Sequence, residues 1–81
     1  MHFNNTMRTA VEAALAGEWD RSHRIVQEYE EPLANRIHAV LHKIEGDEWN
    51  SRYWYKRSAG AQYEDFSDPE SELQAILAAL S

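Results

Sequence analysis

His38 and His42 stand four residues apart, and Glu45 follows three residues later. On a helix those spacings bring all three side chains to one face. Two imidazoles and a carboxylate suit zinc or non-haem iron, and His23 on the preceding segment is a candidate fourth ligand. The pattern departs from the His-Glu-x-x-His of zinc proteases, because Ala39 stands where the general-base glutamate belongs. The alternative for these imidazoles is a place at the border of an apolar stripe, donating hydrogen bonds to a carbonyl, a hydroxyl or a carboxylate.

A second group is aromatic. Trp49, Tyr53, Trp54 and Tyr55 are interleaved with Arg52, Lys56 and Arg57. At 100° per residue, Ser51, Trp54, Tyr55 and Ser58 make one face, and Trp49, Tyr53, Lys56 and Gly60 an adjacent one. A helix so widely apolar needs two neighbours, or one neighbour and a partner. In a small domain the expectation is that the C-terminal helix covers the second face. The alternative is a peptide, ligand or self-association surface, with Trp49 and Tyr53 as anchors and Arg52, Lys56 and Arg57 as polar rim. An enclosed polar pocket between the histidine helix and Trp54 would favour a small ligand; a flat aromatic face would favour a protein. Aromatics among basic residues also suit single-stranded nucleic acid. The formal net charge of −6 and the lack of a sustained basic stripe weigh against it.

Support for an enzyme is absent. No cysteine is present, and no Gly-x-Ser-x-Gly, Walker or Gly-x-Gly-x-x-Gly motif occurs. Ser22 and His23 are adjacent and point in different directions on a helix. Glu30/Glu31 and Asp47/Glu48 sit at helix starts, where the dipole accounts for them.

The elements that position these groups read as helical, because apolar residues recur at three- and four-residue spacing. Asn5 or Thr6 is the expected cap of a first helix reaching Ala16, with Gly17 as its stop. A second runs from Glu18 to Tyr29, with Trp19, Ser22, His23 and Val26 on one face. Pro32 opens a third, striped by Leu33, Ile37, Val40, Leu41 and Ile44 and ended by Gly46. Asp47 caps a fourth that reaches Ala59, and Gly60 closes it. Ala61–Phe66 reads as a connector. Ser67-Asp68-Pro69-Glu70 starts a last helix carrying Leu73, Ile76, Leu77 and Leu80.

The 81 residues make one domain, 1–81, with 43% hydrophobic and 27% charged residues, an ordinary globular composition. All eight basic residues lie between Arg8 and Arg57, so the last 24 residues carry five acids and no base. That acidic end reads as a solvated face, or as a docking face for a basic partner. No signal-peptide pattern or membrane-length apolar run is visible, which sets the expectation of a cytoplasmic chain without a membrane partner.

The two hairpins echo each other. Leu15-Ala16-Gly17-Glu18 returns as Ile44-Glu45-Gly46-Asp47 at an offset of 29, and Trp19-Asp20 as Trp49-Asn50 at 30. His23 then matches Tyr53, and one inserted residue separates the two anchors. Gly46 through Ala59 resembles the second helix of SEL-type repeats, relatives of the tetratricopeptide repeats. The string from His38-Ala39-Val40-Leu41-His42 through Glu45-Gly46-Asp47, Asn50 and Tyr53-Trp54-Tyr55 is similar to a family of small uncharacterised bacterial proteins with fungal relatives. Ser51 and Ser58 stand where that pattern has alanine, Lys56 where it has arginine, and the closing glycine comes one residue late. The resemblance implies an all-α, tetratricopeptide-like fold of two antiparallel helical hairpins plus a C-terminal capping helix. By analogy it implies a non-enzymatic role: binding a protein, a peptide or a second copy of itself, with no cofactor.

Overall fold

Gly17 and Gly46 adopt φ of +81° and +79°, a left-handed conformation that residues with a Cβ rarely take. Each ends a helix in the same way. The amide of Gly17 donates to the Ala14 carbonyl at 3.1 Å and that of Glu18 to the Ala13 carbonyl at 2.8 Å. Gly46 and Asp47 repeat this on Lys43 and His42, at 3.1 and 2.9 Å. These paired bonds satisfy carbonyls that a helix end otherwise leaves open, and they turn the chain back on itself.

The computed structural model describes residues 2–80. Among them it is all-helical: α1 His2–Leu15, α2 Trp19–Val26, α3 Pro32–Ile44, α4 Glu48–Tyr55, a single 3-10 turn Tyr63–Asp65, and α5 Pro69–Ala79. α1 packs on α2 and α3 on α4 as two hairpins, and α3 also touches α1, α2 and α5. The third helix is therefore the centre, with Ala34, Ile37, Ala39, Val40 and Leu41 all buried. Met7, Ala10 and Val11 of α1, Val26 of α2, Tyr55 of α4, and Leu73 and Ile76 of α5 close the core around it.

Small buried hydroxyls bring each hairpin together. Ser22 Oγ donates to the Ala10 carbonyl at 2.7 Å, and Ser51 Oγ to the Ala39 carbonyl at 2.7 Å. Both serines are fully buried, so each replaces an alanine-sized contact with a bond that crosses the hairpin. These equivalences correct the expected insertion. The ends of α1 and α3, the glycines, the serines and both ends of α2 and α4 all recur at 29. Trp19 thus corresponds to Glu48 and His23 to Arg52, and the match of Trp19 with Trp49 is accidental.

Helix ends differ from expectation where side chains find other work. Thr6 does not cap α1: its hydroxyl donates back to the His2 carbonyl at 2.8 Å, inside a helix that starts earlier. α4 stops at Tyr55: beyond it the Arg57 and Ser58 amides donate to the Trp54 and Tyr55 carbonyls, both at 3.0 Å, and Ala59 and Gly60 then take positive φ. α2 likewise stops short, at Val26. Asp47 and Asp68 are the caps of α4 and α5, accepting from the amides of Asn50 at 3.2 Å and Ser71 at 3.1 Å.

The acidic end is not wholly a solvated face. Glu72 is 0% exposed, and its Oε1 accepts from Lys43 Nζ at 3.1 Å and from the Tyr55 hydroxyl at 2.6 Å. Arg36 Nε reaches Oε2 at 3.3 Å. Lys43 spends its other two protons on the Tyr63 and Phe66 carbonyls, at 2.9 and 2.8 Å. Burial, and then the bond to Glu72, push the Tyr55 phenol far above its usual range, so it stays a donor. Four parts of the chain meet here: α3, α4, the connector and α5.

Removing one partner leaves a buried charge, at a cost of about 3–5 kcal/mol. A chain of this size has roughly 4–12 kcal/mol in total. Glu72→Ala should therefore lower the urea midpoint sharply. Lys43→Met with Glu72→Leu should be more stable than either Glu72→Ala or Lys43→Met alone. Additive losses in the double variant would show that the pair is not coupled.

Candidate functional site

The hairpins bring the histidines of two helices to one place. Along α3, His38 and His42 are one turn apart, and their rings stack at 5.0 Å between centroids. His23 of α2 meets His38 edge-on at 4.7 Å and His42 at 5.7 Å. An indole closes each end. Trp19 stacks on His23 at 4.8 Å, and Trp54 on His38 at 4.0 Å. Trp19 is held there because its Nε1 donates to the Leu41 carbonyl at 2.7 Å, across to the central helix.

Burial decides the charge of these rings. His38 is 5% exposed, and burial together with His23 and His42 lowers its pKa to about 4. His23 is lowered as well, first by burial and then by His42, against opposing fields from Glu45 and Asp20. Both are neutral at pH 7. His42 Nδ1 faces Glu45 Oε1 at 2.6 Å.

Of the four candidate ligands, the three histidines come together. Glu45 is not in that group; its Oε1 lies 2.6 Å from His42 Nδ1. His42, Glu45 and Asp47 form a second close group. There Asp47 is already engaged by the Asn50 backbone amide and, at 2.6 Å, by its side-chain amide.

On α4, Trp49 is 74% exposed and Tyr53 37%. Their rings stack at 6.0 Å, and Tyr53 meets Trp54 edge-on at 5.0 Å. The expected cover is elsewhere, because α5 packs along α1 and α3 rather than along α4. Arg57 lies over the Tyr53 ring at 3.8 Å and donates to the Tyr53 carbonyl at 2.9 Å. Arg52 departs from the expected rim. It bonds Glu48 at 2.7 Å and Glu64 at 2.6 Å and lies 4.4 Å over the Tyr63 ring, which turns it toward the connector. The Arg52 bond in turn holds the Glu64 carboxyl below its ordinary range. Lys56 is exposed beside a shallow hollow of ≈ 300 Å³ that it shares with Arg52, Tyr55 and residues 60–64.

The His38 and Trp54 rings are in direct contact, which leaves no space between these two side chains. An open groove of ≈ 610 Å³ lies instead beyond Trp54, lined by Gln27, Tyr29, Glu30, Asn35, Tyr53 and Arg57. Asn35 forms its floor, donating to the Glu30 and Arg57 carbonyls at 3.2 and 3.1 Å. Helical periodicity placed Trp19 on a face with Ser22 and His23, and Trp54 on a face with Ser51 and Ser58; that they bracket the imidazoles depends on how α2 and α4 lie against α3.

No protein-family model, no curated protein and no solved structure matches this chain. Its chemistry is therefore read from geometry. Among the described residues no helix is long and apolar enough to cross a membrane.

The depressed His38 has a signed consequence for stability. Its unfolded-state value is near 6.5 and its folded value about 4, so the unfolded chain takes up the proton first as pH falls. Stability should be unaffected by this ring above pH 6.5 and decline between 6.5 and 4, by up to about 3 kcal/mol. His38→Phe, which keeps a ring on Trp54, should flatten that part of the curve in chelator-treated protein. Parallel melting-against-pH curves for the two proteins would contradict the assignment.

Proposed function

We propose that this domain is a non-enzymatic interaction module that binds a segment of another protein on the outer face of α4 and in the groove beside it. The observation that carries the reading is Trp49, 74% exposed on a helix that α5 leaves uncovered. Exposed tryptophan next to tyrosine and arginine is the composition of a binding hot spot. Trp49, Tyr53 and Trp54 form a continuous series of rings that leads into the groove.

Charge narrows the partner. Arg52 is neutralised by Glu48 and Glu64, while Lys56 and Arg57 carry the positive charge left at the end of α4. A segment with an apolar or aromatic anchor flanked by carboxylates complements that surface. The repeated hairpin, with its 29-residue register and its glycine turns, supports kinship with tetratricopeptide-like scaffolds, which use their helices as recognition surfaces.

Random peptide libraries panned on the full chain test the reading. Selected peptides should be rich in aromatic and acidic residues and should bind Trp49→Ala about thirty-fold more weakly, a loss of about 2 kcal/mol. An exposed side chain contributes little to folding, so Trp49→Ala should melt within about 0.5 kcal/mol of wild type. Equal binding to both proteins would overturn the surface. A dimer by light scattering that Trp49→Ala dissociates would assign the face to a second copy of the chain instead.

A further inference from the structure

The imidazole cluster has a property that packing alone does not require. His23, His38 and His42 each offer a ring nitrogen within 4.8 Å of the other two. No described residue hydrogen-bonds the His23 or His38 ring, which leaves their nitrogens free to take a ligand. Among the described residues no buried side-chain nitrogen lacks a partner, so these ring nitrogens lie where water, and hence an ion, can reach them. Glu45 fixes the third ring. With its carboxylate on Nδ1 at 2.6 Å, the His42 proton belongs on that nitrogen and Nε2 presents its lone pair.

We propose that His23, His38 and His42 form a three-imidazole site for a divalent transition ion of the zinc class, with Glu45 as the outer carboxylate that orients His42. Nitrogen ligands and a supporting carboxylate are the donor set that zinc prefers. With Zn–N bonds of about 2.0–2.1 Å, tetrahedral ligand nitrogens stand about 3.4 Å apart. Binding therefore draws the ring nitrogens together by at most about 1.4 Å and reorients the His38–His42 stack. Water completes the coordination. The second group, His42 with Glu45 and Asp47, is less suited, since Asp47 is engaged by Asn50 and Glu45 by His42 itself. The site lies on a different set of residues from the Trp49 face and does not depend on that reading.

The test uses the untagged full chain, stripped with chelator and titrated with Co²⁺ and then Zn²⁺. Expected are one equivalent of Co²⁺ bound, a visible absorption of a four-coordinate nitrogen site, its loss on adding Zn²⁺, and a raised melting temperature. Trp54 fluorescence should change in the same titration, because its ring lies on His38. His23→Gln removes the ligand that comes from α2 and should weaken binding by more than the roughly 10–100-fold that losing an outer carboxylate costs. Glu45→Gln should fall within that smaller range. His2→Gln changes the fourth histidine, which lies in α1 outside the cluster, and should leave binding intact. Far-ultraviolet circular dichroism confirms that each variant is folded. No spectrum at one equivalent, equal binding by folded His23→Gln, or a loss confined to His2→Gln would each overturn the site.

Discussion

One buried ion pair decides how the rest of this chain is arranged. Lys43 comes from the middle of the molecule, on the helix that every other helix touches, and Glu72 comes from the last helix. Neither charge is stable in an apolar interior alone, and each is acceptable only because all of its bonds are made. Lys43 uses its three protons on Glu72 and two carbonyls of the connector, and among the described residues no buried side-chain polar atom is left without a partner. The pair is thus a positional constraint more than a source of stability. The connector must bring the Tyr63 and Phe66 carbonyls to the ammonium, and α5 must then lie across α1 and α3. Arg8, donating to the Leu80 carbonyl at 2.7 Å, fastens the other end of α5 to α1.

That placement has a functional side. A helix pinned over α1 and α3 cannot also cover α4, so the aromatic outer face of α4 stays open. In a domain this small, leaving a tryptophan in water forfeits apolar burial that the core could use. The chain tolerates it because Tyr55 and Ser51, on the inner face of the same helix, are already packed. The two faces of α4 divide the work between the core and the surface.

Local signals were legible. The glycine turns, the Asp47 and Asp68 caps and the prolines at the starts of α3 and α5 act within a few residues, so the sequence shows them directly. Long-range pairings were not. Glu72 lies in a run of acids that looks solvated, and only the fold brings Lys43, 29 residues earlier, to it. The repeat register was obscured for a related reason. Trp19 and Trp49 look equivalent by residue type, yet one is tied to the Leu41 carbonyl and the other stands in solvent. The serines, inconspicuous in sequence, carry the true correspondence through their bonds to Ala10 and Ala39. For the histidines, the i, i+4 spacing put His38 and His42 together, but it also suggested Glu45 as an equal ligand. Its position one turn onward sets its carboxylate 2.6 Å from His42 Nδ1, outside the group that the three imidazoles make.

The ring cluster holds together through its own contacts, and their magnitudes can be set against what coordination would supply. Each aromatic contact among Trp19, the imidazoles and Trp54 is worth about 0.5–1.5 kcal/mol beyond its buried area. Those contacts hold the rings close, and burial with the neighbouring imidazoles keeps protons off His38. Structural zinc sites bind with apparent energies of about 10–16 kcal/mol near neutral pH, several times what the stacking of a few rings supplies. Reorienting the His38–His42 stack is therefore a small loss against coordination. The indoles at either end need not move apart for this, because Trp19 is anchored by its own bond to α3 and Trp54 by the helix that Ser51 fixes. A frame that holds neutral imidazoles together between two fixed walls has already met most of the ordering cost that a metal site otherwise imposes on binding.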